Sequence, residues 1–268
     1  MTEAAAGTAT GHRLAWRAAT LVAARPETAT ARTLVLDVPG WPGHRAGQHV
    51  IMRLTAADGY RAQRSYSIAS PPGPPGGGRL EVTVQKLAGG EVSPYLADVM
   101  EPGDQVEVRG PIGGWFAWDP GSAAPLQLIA GGSGIVPLMA MIRAAQGAVP
   151  VRLLYSARTP ADVIYAAELA RRARDASLRV ACLFTRVRDA GTARTREPAW
   201  REAPGSGRHH RVDASVIAAE TWPPAARPAI FACGPAGFVA AASGLLVAAG
   251  HAPATIRTER FGPTSERN

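Results

Sequence analysis

The 268 residues, 46% of them hydrophobic, are enough for two folded domains and are typical of a globular protein. The net charge of +8 comes from scattered basic residues, all arginine except Lys86, and no DNA- or RNA-binding motif accompanies them, so no nucleic-acid partner is predicted. The two cysteines, Cys182 and Cys233, are too few for a disulfide framework, a zinc site or a cysteine-ligated iron–sulfur cluster, and no metal site is expected.

Residues 1–12 are small and polar, without the basic start and apolar run of a secretion signal, so we expect a disordered tail and a cytoplasmic protein. Two uncharged stretches, Pro120–Ile142 and Ala229–Gly250, are long enough to imitate membrane helices. Each contains a cluster of glycine and proline, which favours a buried strand, a loop and a helix. No membrane association is predicted.

Short apolar segments, separated by Gly and Pro turns, fill the chain from Leu14 to about Gly113 and favour an antiparallel barrel or sandwich. The predicted strands include Thr33–Val38, His49–Leu54, Arg79–Gln85 and Gln105–Arg109. The segment Pro71–Gly78, PPGPPGGG, is predicted to be an exposed loop between two strands.

Strand-like and helix-like segments alternate after about Ala124, which is the pattern of a doubly wound parallel sheet. The predicted strands are Leu126–Ala130, Val151–Ser156, Arg179–Thr185 and Ala229–Ala232. The predicted helices are Val136–Ala145, Ala161–Arg174, Ala214–Glu220 and Ala236–Ala249. The polar stretch Arg186–Arg211 is predicted to be a long loop.

Four residues between strand-like segments of the first half, Arg64, Ser65, Tyr66 and Ser67, combine a forked donor, an aromatic face and hydroxyls. Arginine suits a phosphate, tyrosine a planar ring and serine a small hydrogen-bonding group. The alternative is an ordinary amphipathic strand with Tyr66 in the core.

A glycine turn with the sequence GGEVSPYL, from Gly89 to Leu96, opens onto a helical segment. Free amides at such a helix start, together with the Ser93 hydroxyl, suit an anion. Ser93 also fits as an N-cap with Pro94 at the first helical position, and both interpretations can hold together.

The sequence GGSGIVP, from Gly131 to Pro137, follows a predicted strand and opens a helix, as a dinucleotide-binding turn requires. Glycine lets the backbone approach a pyrophosphate, and Pro137 fits the first helical turn. The third glycine of the Rossmann fingerprint is absent, so this is a related but different turn, with a plain strand-to-helix loop as the alternative.

Ser156 and Arg158 stand after the next strand, where an NAD-specific site carries a carboxylate. A hydroxyl and an arginine suit a 2′-phosphate, and Arg186 offers a further cation. These residues favour NADPH as the donor, with NADH possible. The alternative is that Arg158, one of many arginines, stands at this position by chance.

Seven motifs, in this order, resemble the ferredoxin–NADP(+) reductase-like family of FAD-dependent oxidoreductases. They are RSYS, GGEVSPYL, GPIGGWF, GGSGIVP, LLYSAR, CGPAGFV and TERFG. The resemblance implies an FAD-binding antiparallel Greek-key β-barrel over residues 13–121. It also implies a Rossmann-like, doubly wound parallel α/β domain that binds NAD(P) over residues 122–268, with a carboxyl-terminal segment that returns to the flavin.

The resemblance also implies residue roles. Arg64 pairs with a flavin phosphate, Tyr66 lies against the isoalloxazine, and Ser67 reaches flavin N5. Cys233 lies beside the nicotinamide as a positioning group, unless it is simply a small buried residue, and Glu259 lies at the flavin edge. The other implied cofactor-binding residues are Ser65, Val84, Lys86, Gly89, Gly90, Val92 and Ser93 in the barrel, and Gly132, Ser133, Gly134, Ile135, Pro137, Ser156, Arg158, Arg186, Gly234, Pro235 and Phe261 in the second domain.

The implied reaction is hydride transfer from NAD(P)H to FAD, with electrons then passed to a separate acceptor such as a ferredoxin, an oxygenase component or a molybdenum enzyme component. Many relatives continue into a 2Fe–2S domain where this chain ends at Asn268, and many carry an arginine where Lys86 stands, which leaves the role of Lys86 open. The alternatives are a flavin or quinone reductase and a non-catalytic nucleotide-sensing subunit. The oligomeric state is not predicted.

Overall fold

The structure, a computed structural model, describes residues 15–186, the backbone of residues 201–202, and residues 211–262. The predicted tail, residues 1–12, lies outside the described residues, as does most of the predicted loop Arg186–Arg211. Within the described ranges, no helix is both long enough and apolar enough to cross a membrane.

Six antiparallel strands form the first domain. They are β1 Trp16–Thr28, β2 Ala31–Asp37, β3 His49–Thr55, β4 Arg61–Ser67, β5 Arg79–Gln85 and β6 Gln105–Ile112. Their order is β4-β3-β6-β1-β2-β5, and the sheet closes where Ile68 bridges to Val82 and the Ala69 amide donates to the Glu81 carbonyl at 2.7 Å. The connections from β2 to β3 and from β5 to β6 skip neighbouring strands, so the predicted Greek-key barrel is confirmed.

Two details of the barrel bear on the predicted motifs. The motif RSYS does not lie between strands but forms the end of β4 itself. The segment Pro71–Gly78 joins β4 to β5 without a helix or strand, as predicted from its proline and glycine content. A short π-helical turn, Tyr95–Val99, follows the glycine turn after β5.

The second domain is a parallel sheet covered by helices on both faces. Its elements are β7 Leu126–Gly131, α1 Ile135–Ala145, β8 Val151–Ala157, α2 Ala166–Arg172, β9 Leu178–Phe184, β10 Arg201–Glu202, α3 Ala214–Glu220, β11 Ala229–Pro235, α4 Ala236–Ala248 and β12 Ile256–Phe261. All neighbouring strands run parallel in the order β10-β9-β8-β7-β11-β12. The predicted doubly wound fold is therefore confirmed.

The strand order reverses between β7 and β11, and ligands of such sheets bind at this switch point, beyond the carboxyl ends of the strands. Both uncharged stretches that imitate membrane helices lie here, each as a strand followed by a helix. The predicted strand Ala229–Ala232 extends to Pro235 in the structure, and β12 pairs alongside it. Residues 233–235 therefore sit at the edge where a ligand is expected.

The helix predicted over Ala161–Arg174 is shorter in the structure and begins at Ala166. Thr159 and Asp162 form a capping box around a separate 3₁₀ turn, Pro160–Asp162, and Tyr165 then adopts a left-handed conformation with φ of 61°. A tyrosine rarely adopts this conformation, so surrounding contacts must stabilise it.

The two domains pack directly against each other through a shared buried apolar cluster. Ala69, Phe116 and Trp118 of the barrel side pack into the same buried cluster as α1 and β7. Phe116 meets Phe231 of β11 edge to face, with ring centroids 5.4 Å apart. This contact packs the segment after β6 against β11 of the second domain.

Candidate active site

Ser67 and His49 line the barrel side of the domain junction. Ser67 ends β4 and is directly opposite His49, the first residue of β3, so the two side chains share one face of the sheet. Ser67 is 6% exposed, and its Oγ has no hydrogen-bond partner among the residues that the structure describes. A buried hydroxyl of this kind costs free energy unless a ligand or water satisfies it.

Cys233 and Glu259 line the opposite side of the junction, because β11 and β12 pair in register at these residues. The Glu259 Oε1 atom lies 3.9 Å from His49 Nδ1, across the domain boundary. The Glu259 Oε2 atom is buried and has no hydrogen-bond partner within the described part of the chain. The junction therefore collects two unsatisfied polar atoms, one from each domain.

Burial controls the charge of these groups. Desolvation raises the pKa of Glu259 to about 7, so near neutral pH its carboxyl is partly protonated. Desolvation also lowers the pKa of His49. Burial, and secondarily the charge of Glu259, raises the pKa of the Cys233 thiol well above its usual range. A thiol that stays protonated is a poor nucleophile, so Cys233 is suited to packing and positioning.

Replacement of Glu259 by Gln should remove a pH dependence of stability. Because folding raises the pKa of Glu259 from 4.5 to about 7, the folded state binds more protons in this range, and the free energy of unfolding falls as the pH rises through it. The measurement is urea unfolding of both proteins from about pH 5 to about pH 8.

The histidines His44, His49 and His251 have lowered pKa values and act in the opposite direction, so the informative quantity is the difference between wild type and Glu259→Gln. That difference should shift in favour of the variant as the pH rises. A difference that stays constant with pH contradicts the assigned protonation of Glu259.

Arg64 reaches from β4 toward the glycine turn after β5. Its guanidinium donates to the Gln63 carbonyl at 2.7 Å and lies 3.8 Å from the Glu91 carboxylate, which also accepts from the Tyr60 hydroxyl at 3.1 Å. Ser65, the next residue, is exposed. The structure thus brings the predicted phosphate-binding arginine beside the predicted anion-binding turn, where a half-exposed guanidinium is open to a ligand.

The N-cap interpretation of Ser93 is wrong, because Pro94 occupies the N-cap of the π-helical turn. The Ser93 hydroxyl instead accepts from the Leu87 amide at 3.1 Å, which closes the turn. Gly89 has a φ of 75°, a conformation that favours glycine, and a Cβ at Gly90 would lie 3.1 Å from Ser93 Oγ. The turn therefore depends on both glycines.

The other predicted barrel residues have mostly structural surroundings. Val84 and Val92 are fully buried in the barrel core, and Tyr66 is half-buried against it. Burial raises the pKa of Tyr66 to about 12, so its hydroxyl stays protonated. The Lys86 ammonium pairs with Asp98 of the π-helical turn at 3.0 Å. Lys86 is therefore engaged within the protein.

The nucleotide turn between β7 and α1 crosses very close to β11. A Cβ placed on Gly134 would lie 2.1 Å from the Cys233 carbonyl oxygen. Gly234 has a φ of 153°, and its Cβ would lie 2.9 Å from the Gly131 carbonyl oxygen. Gly132, with a φ of 54°, faces open space. Glycine is required at Gly134 and Gly234 because the backbone of the turn lies so close to the backbone of β11. A pyrophosphate-binding turn also requires glycine, because the phosphates must approach the backbone closely.

The neighbouring predicted residues differ in exposure. Ile135 and Pro137 are buried in α1 and shape the turn from behind, whereas Ser133 is half-buried at its surface. Pro235 is exposed and pairs with the half-buried Phe261 at the end of β12. The carboxyl-terminal strand thus reaches the same edge as the nucleotide turn.

Ser156, Arg158 and Arg186 meet at the carboxyl ends of β8 and β9. Ser156 is buried, while the two arginines are exposed and adjacent, since the Arg186 amide donates to the Arg158 carbonyl at 2.8 Å. Arg158 also pairs with Asp162 at 3.0 Å. An exposed arginine at each of these neighbouring strand ends is a candidate to bind a phosphate.

These residues fit an isoalloxazine and a nicotinamide at the junction. Ser67 Oγ and Glu259 Oε2 are buried and lack partners among the described residues, and each matches a polar ring atom of a flavin or nicotinamide. Gly132 faces open space at the switch point, which leaves room for a pyrophosphate. The donor set therefore agrees with FAD on the barrel and a pyridine nucleotide on the sheet.

His49 is the main residue that the sequence interpretation missed. A lone histidine at the start of a strand carries no motif, and its importance comes only from the pairing with Ser67 and the approach of Glu259. The one available signal is indirect: His49 starts a predicted strand next to the strand that ends in RSYS.

Comparison with known families agrees with this division of the chain. Residues 19–116 match the model described as oxidoreductase FAD-binding domain, and residues 128–244 match the oxidoreductase NAD-binding domain. The two matches fall on the barrel and on the parallel sheet, respectively.

Individual relatives and structures give the same result. Ferredoxin--NADP reductase B of Sorangium cellulosum is 35% identical over 81% of this chain and 85% of its own length. The glycine betaine monooxygenase reductase subunit of Pseudomonas aeruginosa is 31% identical over 82% of this chain, which spans 57% of that subunit. The FAD/NAD binding domain of nitric oxide dioxygenase from Vibrio cholerae has the same fold, with 24% identity, a TM-score of 0.76, and coverage of 92% of this chain and 99% of that chain. The chain therefore belongs to the ferredoxin–NADP reductase-like family of FAD- and NAD(P)-binding oxidoreductases.

Proposed function

We propose that this chain is a reductase that takes hydride from NADPH onto FAD and passes the electrons to a separate acceptor protein. The observation that carries the proposal is the junction at which Ser67 and His49 of the barrel meet Cys233 and Glu259 of the sheet. When bound, FAD supplies the conversion between a two-electron donor and one-electron acceptors. We place the boundary between the FAD-binding and NAD(P)-binding domains at residues 121 and 122.

The residues of the chain bind and orient the reactants. Arg64 and the turn at Gly90 and Ser93 hold the phosphates of FAD, and the Ser67 hydroxyl hydrogen-bonds the flavin ring. Cys233, neutral and fully buried, packs beside the nicotinamide. Glu259 holds a proton near neutral pH at the edge of the site, with His49 as its neighbour.

Arg158 and Arg186 support NADPH as the preferred donor, because both are exposed at neighbouring strand ends and a guanidinium suits the 2′-phosphate that NADH lacks. Asp162 is the carboxylate paired with Arg158, and it engages that arginine rather than standing free to bind a ribose hydroxyl. NADH is the alternative donor, with lower affinity.

Replacement of Arg158 by Ala should weaken NADPH selectively. A hydrogen bond to a charged group contributes about 1.5–3 kcal/mol, so the KM for NADPH should rise about tenfold or more, while the KM for NADH changes little. Steady-state kinetics with both donors give the result.

Arg171 provides the matched control, because it is exposed on α2 and its replacement by Ala removes the same charge. An equal rise in both KM values in Arg158→Ala, or the same NADPH effect in Arg171→Ala, contradicts a 2′-phosphate site at Arg158.

The names of the relatives support the separate acceptor. One relative is named as a ferredoxin–NADP reductase and another as the reductase subunit of a monooxygenase. The net charge of +8 favours an acidic partner such as a ferredoxin or an oxygenase component, because opposite charges accelerate association. We assign the protein to the cytoplasm, where NADPH is available.

The deciding experiment is anaerobic stopped-flow mixing of the FAD-bound protein with NADPH and NADH side by side. We expect the flavin absorbance to bleach with both donors, and at lower concentration with NADPH. If dithionite reduces the flavin but neither NADPH nor NADH does, the reductase function is refuted and a nucleotide-sensing subunit is supported. Bleaching followed by direct electron transfer to free flavin or quinone, but to no protein, would indicate a flavin or quinone reductase.

A further inference from the structure

A buried arginine joins the two domains away from the junction described above. Arg143, near the end of α1, is 8% exposed. Its Nη1 atom donates to the Ala69 carbonyl and to Glu81 Oε2, both at 2.9 Å, and its Nε and Nη2 atoms donate to Glu168 at 3.1 and 2.6 Å. One guanidinium therefore holds the segment after β4, the strand β5 and the helix α2.

A second polar contact lies beside the first. The buried Tyr165 hydroxyl hydrogen-bonds Thr83 of β5, and the Tyr165 amide donates to Glu27 Oε2 of β1 at 3.1 Å. The Arg143 guanidinium carbon lies 5.2 Å from the Tyr165 ring centroid. These contacts to the barrel stabilise the left-handed backbone of Tyr165, so the start of α2 is shaped by the other domain.

The charges of this network balance. Arg25, Arg143 and Arg172 face three carboxylates, with Arg25 2.7 Å from Glu81 and Arg172 2.8 Å from Glu168. Glu27 completes the set, 3.3 Å from Arg25. A buried charge that loses its partner is strongly destabilising, so a balanced network allows one relative placement of the domains and penalises others.

The placement of the network connects it to the reaction. The helix that carries Arg143 begins at the nucleotide turn, directly after Gly134. The carbonyl that Arg143 binds belongs to Ala69, two residues beyond Ser67. A helix transmits a displacement of one end to the other, and hydride transfer is sensitive to errors of about 1 Å.

We propose that Arg143 is a positioning residue that fixes the distance between the nucleotide turn and the flavin-side end of β4. This role rests on the proposed function. The competing explanation is that the apolar cluster around Phe116 and Trp118 alone fixes the domains and that Arg143 only contributes stability.

The test compares the FAD-bound proteins Arg143→Lys and Arg152→Lys with wild type. Lysine keeps the charge but loses the fork that reaches Ala69, Glu81 and Glu168 together. Arg152 is the matched control, because it lies in the same domain, donates to the Thr221 carbonyl at 2.7 Å and stacks on Trp222, away from the domain interface.

In Arg143→Lys, the limiting rate of flavin bleaching at saturating NADPH should fall at least about tenfold, while the NADPH concentration for half-maximal rate stays within about twofold. Reduction of the same flavin by dithionite, which needs no nucleotide, should be unchanged. Calorimetric unfolding should change from one transition to two, because the domains lose their coupling. Arg152→Lys should resemble wild type in all three measurements.

A wild-type limiting rate in Arg143→Lys overturns the proposal, and so does a lower rate with a single calorimetric transition. A loss of bound FAD with an unchanged rate per remaining flavin supports the purely structural explanation. If Arg143→Lys does not fold, Glu81→Gln carries the same comparison, since it removes the charged partner of Arg143 in the barrel and leaves Glu168 of α2 in place. If dithionite reduces the wild-type flavin but neither nucleotide does, the proposed function is refuted, and the role of Arg143 is refuted with it. If NADPH reduces wild type and Arg143→Lys at the same rate, only the role of Arg143 is refuted.

Discussion

Replacement of Gly134 by Ala should disrupt nucleotide binding and destabilise the second domain. The backbone of Gly134 has a φ of −60° and a ψ of −12°, which alanine adopts readily, so only space is at issue. The added Cβ would lie 2.1 Å from the Cys233 carbonyl oxygen, 2.4 Å from its carbon and 2.7 Å from the Gly234 nitrogen. All three are backbone atoms, and the turn must therefore move away from β11.

Overpacking of this kind costs about 1–3 kcal/mol or more, and the displaced turn should weaken NADP⁺ binding at least about tenfold. Urea unfolding and calorimetric titration with NADP⁺ measure the two effects. FAD should remain bound, because Arg64 and the glycine turn that hold its phosphates lie in the barrel and not in the altered domain.

Gly237→Ala is the control, because Gly237 is exposed in the first turn of α4 and an added Cβ meets nothing within 4 Å. This variant should bind NADP⁺ as wild type does and be at least as stable, since alanine favours helix over glycine. If Gly134→Ala has the stability and the NADP⁺ affinity of wild type, the turn after β7 does not pack against β11 as closely as these distances indicate.

Replacement of Ser67 by Ala should slow flavin reduction by NADPH about a hundredfold while FAD stays bound. The Ser67 hydroxyl is buried and has no partner in the described ranges of the protein, so its hydrogen bond is available for the flavin ring. Arg64 and the glycine turn still hold the phosphates. Anaerobic stopped-flow bleaching and the FAD content of the purified protein measure the two properties.

Stability provides an independent measurement for this residue. Removal of an unsatisfied buried hydroxyl should leave the FAD-free chain as stable as wild type or more stable. Ser243 of α4 is the matched control, because its Oγ is also buried, without a partner among residues 15–186 and 211–262, but lies in a helix of the second domain. Ser243→Ala should leave the rate unchanged, and an unchanged rate in Ser67→Ala would remove Ser67 from the site.

Local sequence signals were sufficient for most of the fold. The strand Arg79–Gln85 and the helix Ala214–Glu220 were predicted at their observed bounds, because apolar periodicity and turn residues delimit both clearly. The helix α2 was predicted too long, since its start depends on Tyr165, whose backbone is held by contacts to Thr83 and Glu27 in the other domain. Propensity carries no information about such a contact.

The candidate site was predictable where a motif marks it and not where only spatial proximity does. RSYS and GGSGIVP identified the two sides of the junction, and the structure brings Ser67, Cys233 and Glu259 to it. His49 and Arg143 went unrecognised because a single histidine and one arginine among many have no distinguishing neighbours in sequence. Each has a partner in the other domain that is more than fifty residues away along the chain, Glu259 for His49 and Glu81 for Arg143.

The shared interface has a consequence for exchanging domains among relatives. The barrel and the sheet match two separate family models, which suggests interchangeable modules. In this chain, however, Glu81 and Arg143 complete each other, and Trp118 packs in the cluster that contains α1. A chimera that pairs this barrel with a foreign nucleotide domain would leave Glu81 with Arg25 alone and would remove the guanidinium that also binds the Ala69 carbonyl. The two domains must therefore be transplanted with their contact residues.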